Sequence, residues 1–187
     1  MAENKDTKKK KKYSLKEDLY DWLQCIVFVI VACVVLFVFV GRIVTVDGRS
    51  MNPTLYHGDK LVVSSIGRNY EQGDVVVFVA PDFDFTSGPL VKRIIATEGQ
   101  VVEIDFSTGT VSVDGVPLDE PYIAELTVDM QDYDGPVTVP EGHVFCMGDN
   151  RNHSTDSRTD AIGCVDTREI LGKAYFVLFP LKSIGTV

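Results

Sequence analysis

The sequence predicts a mostly β protein, with one N-terminal transmembrane helix followed by an antiparallel β domain. Residues 22–40 are apolar apart from Gln24, and at about 1.5 Å per residue such a helix matches the thickness of a bilayer core. Residues 41–187 contain many short runs rich in valine, isoleucine and phenylalanine, separated by turn residues. Helical periodicity is nearly absent outside the apolar segment, which favours strands for the remainder of the chain.

The apolar segment at residues 22–40 has two other interpretations. A buried core helix is rarely apolar on every side over such a length. A cleavable signal peptide fits poorly, because the run is long and Phe39-Val40-Gly41 lacks the small residue that cleavage requires at position −3. We therefore predict an uncleaved membrane anchor.

Charge is distributed unevenly along the chain. Residues 1–21 carry seven lysines and five acidic residues, whereas residues 41–187 carry 11 basic and 22 acidic residues. The basic run Lys8–Lys12 precedes the apolar segment, so the positive-inside rule places the N-terminus in the cytoplasm. We predict a basic cytoplasmic tail over 1–21, a transmembrane helix over 22–40 and an extracytoplasmic domain over 41–187. The acidic domain argues against nucleic acid as a partner, since phosphate binding needs a positive surface.

Eight segments of the domain have the composition of β-strands. Most of the breaks between them contain Gly, Asp, Asn or His, which supply turn geometry. Residues 125–137 are acidic and rich in turn residues, and we expect a loop or a poorly ordered excursion there. The predicted strands are 43–46, 60–65, 74–80, 90–96, 100–106, 110–115, 143–148 and 172–179.

The run LVKRII at residues 90–95 places two cations in one predicted strand. Alternate residues share a face, so Lys92 aligns with Leu90 and Ile94, while Arg93 lies on the other face. Removal of water lowers the pKa of a lysine readily, whereas an arginine stays protonated. Lys92 is therefore a candidate general base. The alternative is a surface strand whose lysine stem covers apolar groups while its amine stays in water.

The stretch GRSMNPTL at residues 48–55 presents Ser50 in a turn bracketed by Gly48 and Pro53. A serine hydroxyl is a weak nucleophile at neutral pH until a base accepts its proton. Ser50 is the candidate nucleophile, although a serine in such a turn is often only a turn residue.

A polar segment, GDNRNHSTDSR at residues 148–158, follows an apolar strand directly. Its side chains have the composition of a hydrogen-bonded network that orients a neighbouring amine, or of a solvated loop. Two cysteines of the domain flank this region, Cys146 before it and Cys164 after it, and we expect both to be buried free thiols.

These motifs, in this order after an N-terminal anchor, resemble the bacterial type I signal peptidase family in its short Gram-positive form. The resemblance extends to EQGDVVVF (71–78), VDGVPLDEPY (113–122) and GKAYFVLFPL (172–181), and so covers nearly all of residues 42–187. It implies an extracytoplasmic β domain of signal-peptidase type and a Ser–Lys serine endopeptidase. The implied substrates are the signal peptides of secretory preproteins, cleaved after small residues at −3 and −1.

The resemblance also implies a role for individual residues. Ser50 is the implied nucleophile and Lys92 the general base. Ser154 corresponds to the serine that hydrogen-bonds the lysine amine, and Asp156 and Arg158 to a buried pair that supports the loop. The main-chain amide of Ser50 is the implied first oxyanion donor.

This chain departs from part of the family at Gly48, where many members have a hydroxyl that serves as the second oxyanion donor. A backbone amide or a water has to replace it, because one lost donor costs about 2.7–4 kcal/mol of barrier. Arg49, where small residues are frequent, is a milder departure. The resemblance places shallow pockets for the substrate at Val46, Met51, Leu55, Leu90 and Val91.

The partners expected are signal peptides and the lipid bilayer, with no obligate protein partner. His57, His143 and His153 lack ligand spacing and Asp82-x-Asp84 lacks companions, so we expect neither a metal nor a cofactor.

Three rival functions remain open from the sequence. A Ser-His-Asp hydrolase would use His153 and Asp156 beside Ser154. A membrane-tethered binding or pilus-type module would have no catalysis. A soluble Ser–Lys autoprotease such as a repressor resembles the domain, but not the anchor, and the chain has no DNA-binding segment.

Overall fold

A computed structural model describes residues 15–39, 41–80 and 88–187. The chain divides into two units between residues 39 and 40. The basic run Lys8–Lys12, Val40 and the Asp82-x-Asp84 pair lie outside the described residues, and what was predicted for them stays a prediction.

The first unit contains one helix, α1, at Leu15–Phe39. The helix begins upstream of the apolar segment predicted over 22–40. Large apolar side chains such as Leu19, Trp22 and Phe28 are exposed along it. By length and hydropathy, none of the helices within the described residues qualifies as a membrane span.

The second unit is built on a main sheet in which every strand pair is antiparallel. The strand order is β1-β2-β11-β3-β4-β9-β10, with β12 paired to β11. Central strands are rich in valine and isoleucine and buried on both faces, as β3 and β4 show. The strands are β1 Arg42–Thr45, β2 Lys60–Ser64, β3 Val75–Phe78, β4 Leu90–Thr97, β9 His143–Met147, β10 Val165–Asp166, β11 Ile170–Phe179 and β12 Gly185–Thr186.

A smaller antiparallel sheet is inserted between β4 and β9, with the order β7-β6-β5-β8. Its strands are β5 Val101–Asp105, β6 Thr110–Val113, β7 Val116–Pro117 and β8 Val137–Thr138. Short 3₁₀ helices occur at Arg151–His153, Thr167–Glu169 and Leu181–Ser183.

The two sheets share one of three buried apolar clusters. In this cluster, residues of β4 and β9 such as Ile95 and Phe145 pack against Val102 and Val111 of the smaller sheet. The other two clusters lie within the main sheet, one around β2 and β11 and the other around β3, β9 and Ile170. The small sheet is thus fixed to the strands from which the candidate site is built.

The prediction of a mostly antiparallel β domain is confirmed, and each of the eight predicted strands is present. The short strands β7, β8, β10 and β12 were not predicted, because two residues are too few to show an alternating pattern. Residues 125–137 form a loop up to β8, as expected. The suggestion that this loop is poorly ordered is wrong, because it hydrogen-bonds to the polar segment at 148–158, for example from Gln131 Nε2 to the carbonyl oxygen of Ser154.

Candidate active site

Ser50 lies at the start of a turn that follows β1. Gly48, two residues before Ser50, has φ +90°, a left-handed conformation that glycine adopts without steric cost. The carbonyl oxygen of Ser50 accepts a hydrogen bond of 3.0 Å from the amide of Asn150. Asn150 Nδ2 also donates to the carbonyl of Arg49 at 3.0 Å. The turn is therefore fastened on its main chain to the polar segment 148–158.

Lys92 lies in β4, in the interior of the main sheet, and is 2% exposed. Its Nζ donates a hydrogen bond of 2.7 Å to Ser50 Oγ. Burial away from water lowers the pKa of Lys92 from 10.5 to about 8, although the carboxylate of Asp156 acts in the opposite direction. The alternative of a lysine with a solvated amine is wrong.

Arg93 is also buried, on the opposite face of β4. Alternation alone suggested that one of the two cations would be in apolar surroundings, but both faces of the strand are covered. Arg93 forms a two-pronged ion pair with Asp149, at 2.8 and 2.7 Å, and its guanidinium lies 4.1 Å from the centre of the Tyr122 ring. These contacts compensate the buried charge of the arginine, whereas Lys92 has no ion pair among the described residues.

Asp156 and Arg158 form a buried ion pair at the far side of the polar segment. Arg158 Nε and Nη2 lie 2.8 and 2.9 Å from the two carboxylate oxygens of Asp156, and both side chains are fully buried. Asp156 also accepts from the amide of Gly148 at 2.9 Å. The pair thus fixes the beginning of the segment to its end.

Ser154 is buried close to Gly148, and its hydroxyl has no hydrogen-bond partner among the described residues. The hydrogen bond expected between Ser154 and the Lys92 amine is therefore not formed in this structure. A Cβ at Gly148 would lie 2.2 Å from Ser154 Oγ and 2.5 Å from the carbonyl oxygen of Ser50. Position 148 has space only for glycine, and this close approach brings Ser154 beside the main chain of Ser50.

Gly48 has no side-chain hydroxyl to act as the second oxyanion donor, and its main-chain amide is already hydrogen-bonded. Gly48 N–H donates to His57 Nδ1 at 3.3 Å. His57 Nδ1 also lies 3.1 Å from Asp47 Oδ1. No heavy atom lies within 4 Å of where a Cβ of Gly48 would be. The surroundings of Gly48 are therefore open on the side from which a water can approach.

The residues assigned to substrate pockets fall into two groups. Val46, Met51, Leu55 and Val91 belong to one buried cluster, whereas half-buried Leu90 packs against another. Leu55 is 0% exposed and Met51 is 1% exposed. In this structure their side chains therefore lie beneath the surface and do not line an open pocket.

Sequence reasoning also missed a third buried ion pair, between Arg151 and Glu120. Arg151 donates to Glu120 Oε1 and Oε2 at 2.6 and 3.0 Å, to Thr127 Oγ1 at 3.0 Å and to the carbonyl of Gly148 at 3.1 Å. The Tyr122 hydroxyl donates to the same glutamate at 3.0 Å. Both partners stand in the quoted motifs DEPY and GDNR, but nothing in the local sequence pairs them.

The Ser-His-Asp alternative lacks its geometry. His153 is exposed, and both carboxylate oxygens of Asp156 are engaged by Arg158.

Cys146 and Cys164 are free thiols as expected, but Cys164 is only half-buried. Burial raises the pKa of both, that of Cys164 to about 11, so neither has the character of a nucleophile.

Comparison with known proteins finds relatives that cover nearly the whole chain. A family model described as "Signal peptidase, peptidase S26" matches residues 19–179. The chain is 34% identical to signal peptidase I of Bacillus licheniformis, over 98% of each protein. It is 38% identical to a probable signal peptidase I-1 of Synechocystis, over 83% of this chain and 80% of the relative. A crystal structure of a signal peptidase I from Enterococcus faecalis has a TM-score of 0.43 and 29% identity, and covers 59% of this chain and 97% of that one.

These similarities define the class of the protein as a serine peptidase, a hydrolase. The chain belongs to the bacterial type I signal peptidase family, peptidase S26, whose reaction is the cleavage of signal peptides.

Proposed function

We propose that this chain is a membrane-anchored endopeptidase that removes signal peptides from secreted preproteins with Ser50 as nucleophile and Lys92 as general base. The observation that carries the proposal is the 2.7 Å contact between Lys92 Nζ and Ser50 Oγ. At this distance a proton passes directly from the hydroxyl to a neutral amine.

The reaction proceeds in two steps. The neutral amine of Lys92 takes the Ser50 hydroxyl proton while Oγ attacks the scissile carbonyl carbon. Collapse of the tetrahedral intermediate breaks the C–N bond, and the proton moves from Lys92 to the departing amine, leaving an ester on Ser50. Water, deprotonated by Lys92, then attacks the ester carbonyl, and the proton passes from Lys92 to Ser50 Oγ as the C–O bond breaks, which releases the signal peptide and restores the free serine.

The negative oxygen of the intermediate requires donors. The main-chain amide of Ser50 serves as one of them. Because Gly48 has no side chain and its amide is engaged by His57, we propose that a water or another backbone amide supplies the second.

Substrate selection rests on the surface formed around Val46, Met51, Leu55, Leu90 and Val91, which takes small residues at −3 and −1. The burial of Met51 and Leu55 supports shallow pockets, since a wall of filled core leaves no depth for a large side chain. Ser154, Asp156 and Arg158 support the amine from the polar segment.

Cleavage of a preprotein by purified variants tests the dyad. Ser50→Ala and Lys92→Ala are each expected to lose processing in detergent, while the wild type yields a new N-terminus after a small residue, read by sequencing. Lys173→Ala is the matched control, because Lys173 lies in the same sheet, on β11, separated from β4 by β3, and pairs with Asp74. Full processing by Ser50→Ala would exclude Ser50 as the nucleophile, and no processing by the wild type would instead support a binding module. Loss in His153→Ala with retention in Lys92→Ala would support the histidine mechanism.

The anchor is a separate part of the proposal. We propose that residues 22–40 hold the chain in the membrane with the N-terminus in the cytoplasm and residues 41–187 outside, supported by the apolar run and the lysines that precede it. The full chain is expected to remain in the membrane pellet after alkaline extraction, and its domain to be digested by protease added from the outside. Release into the supernatant would contradict this part alone.

A further inference from the structure

The loop at residues 125–134, here called the strap, is bound along its length to the polar segment 148–158. Asn152 Oδ1 accepts from the amides of Val128 and Asp129 at 3.0 and 3.1 Å. Arg158 Nη1 donates to the carbonyl of Asp129 at 2.8 Å. Between these two attachments, Gln131 Nε2 donates to the carbonyl of Ser154 at 2.6 Å. The strap thus touches the segment on both sides of Ser154 and at Ser154 itself.

The chemistry of the Gln131 contact fixes the orientation of its amide. The partner is a carbonyl oxygen, which only accepts, so the nitrogen of the side chain has to face it. Its Oε1 is buried with no hydrogen-bond partner among the described residues. A buried acceptor without a partner carries a desolvation cost, so the arrangement is held at some expense to stability.

Gln131 also has a left-handed backbone, with φ +52°. This conformation is unfavourable for a residue with a long side chain and is more frequent for Asn. The main-chain amide of Gln131 donates to Asp129 Oδ1 at 3.2 Å, which helps to hold the turn. Backbone strain of this kind persists where the surroundings enforce it and is frequent near functional sites.

Ser154 is the residue on which these contacts converge. Its hydroxyl is buried without a partner and is confined by Gly148, where a Cβ would lie 2.5 Å from Ser154 Cβ. A side chain in such a confined position moves with its own main chain. The hydrogen bond from Gln131 to the Ser154 carbonyl therefore holds the main chain that carries this confined side chain.

We propose that Gln131 is a positioning residue, which holds the main chain of Ser154 so that the buried Ser154 side chain stays packed against Gly148, beside the main chain of Ser50. This inference rests on the proposed Ser–Lys mechanism and assigns a role in it to the strap. It makes Gln131 act on the rate of the chemical step through Ser154, without contact to the substrate.

The test is a double-variant cycle on the full-length protein. Gln131→Asn keeps an amide, suits the left-handed backbone, and is too short to reach the carbonyl. We expect roughly a tenfold lower kcat with an unchanged KM, a fraction of the 10²–10⁴ that a positioned base contributes. In the Ser154→Ala background the same change should lower kcat less than twofold, because residues that act through one another are not additive.

Two further variants separate positioning from stability. Gln131→Glu has nearly the same shape but no N–H group to donate to the Ser154 carbonyl. We expect it to lower kcat as Gln131→Asn does. Asp132→Ala removes another bond of the strap, accepted from the amide of Asp160, and is expected to leave kcat unchanged. Thermal unfolding should show Gln131→Asn to be at least as stable as the wild type, so a lower kcat in this variant is not a folding defect.

Failure of this inference is distinguishable from failure of the mechanism. Wild-type kcat in Gln131→Asn and Gln131→Glu, or an equal loss with and without Ser154, overturns the positioning role while Ser50→Ala remains inactive. Processing by Ser50→Ala overturns the mechanism itself.

Discussion

Lys92 owes its chemical character to its position in the sheet. A lysine on an edge strand would reach water along its stem, but β4 is paired on both sides and covered on both faces. Arg93, the next residue, has a carboxylate partner in Asp149, whereas Lys92 has a serine. Burial therefore makes Lys92 easy to deprotonate, whereas a carboxylate compensates the charge of Arg93.

The activity of the enzyme should depend on pH through Lys92. The group acts as a base only when neutral, and burial lowers its pKa to about 8. We expect kcat/KM to rise with pH through an apparent pKa near 8 and to level off above it. Measurement from pH 6 to 10, with chemistry shown to be rate-limiting, checks this. A flat profile would be incompatible with a lysine base.

The same shift predicts that Lys92 lowers stability at neutral pH. Because its pKa is lower in the folded than in the unfolded chain, the unfolded state binds more protons between pH 8 and 10.5, and stability rises with pH across that window. Lys92→Met removes the penalty, so its free energy of unfolding at pH 7 should exceed that of the wild type by about 1–3 kcal/mol. Urea denaturation at pH 7 and 10 measures both effects. Equal stability of the two proteins at both pH values would contradict the burial of a charged amine.

At this scale the sequence identified the two dyad candidates, since strand alternation and the turn around Ser50 are local. It could not reveal Gln131, whose contact with Ser154 joins residues 23 apart. Nor could it show that the Ser154 hydroxyl has no partner, because that depends on where three segments meet.

Among the described residues, β11 is the longest strand, and at Gly172 it packs closely against β2. At Gly172 a Cβ would lie 2.5 Å from the carbonyl oxygen and 2.7 Å from the carbonyl carbon of Ser64, both on β2. The register between β11 and β3 also shifts between Ile170 and Gly172. The strand therefore depends on a residue without a side chain at this position.

Gly172→Ala should destabilise the domain by about 1–3 kcal/mol, because the backbone of β2 has to move to admit the methyl group. The matched control is Gly185→Ala on β12, where no heavy atom lies within 4 Å of the added carbon. Chemical denaturation of both variants gives the comparison. An equal, small effect at the two positions would show that β2 yields without cost.

The longer strands were predictable because each is a run of β-branched or aromatic residues bounded by turns. Register shifts and the two-residue strands were not, since they arise from the meeting of distant segments. The order of strands in the main sheet likewise requires β11 to lie between β2 and β3, a pairing that no local pattern encodes.

In the molecule as a whole, the β domain unites its two sheets with charge as well as with apolar packing. Glu120 follows β7 of the small sheet, and Arg151 follows β9 of the main sheet, and their ion pair is almost fully buried. Buried pairs of this kind are costly to break, since the remaining charge has no water to solvate it.

Arg151→Met should therefore lower the free energy of unfolding by about 3–5 kcal/mol, because it strands the Glu120 carboxylate. Addition of Glu120→Gln should restore part of the loss. Arg168→Met is the control, because Arg168 is 84% exposed in its pair with Asp166, and its stability should remain near that of the wild type. If Arg151→Met and Arg168→Met unfold at the same urea concentration, the buried pair contributes no more than a surface one.

The position of β4 has a consequence for how such an enzyme diversifies. The proposed base, Lys92, is held by ladder hydrogen bonds to strands on either side, while the proposed nucleophile, Ser50, and the strap lie in connections between strands. Insertions or replacements in those connections leave the ladder intact. Related proteins are therefore able to acquire new cleavage preferences while the lysine keeps its position in the sheet.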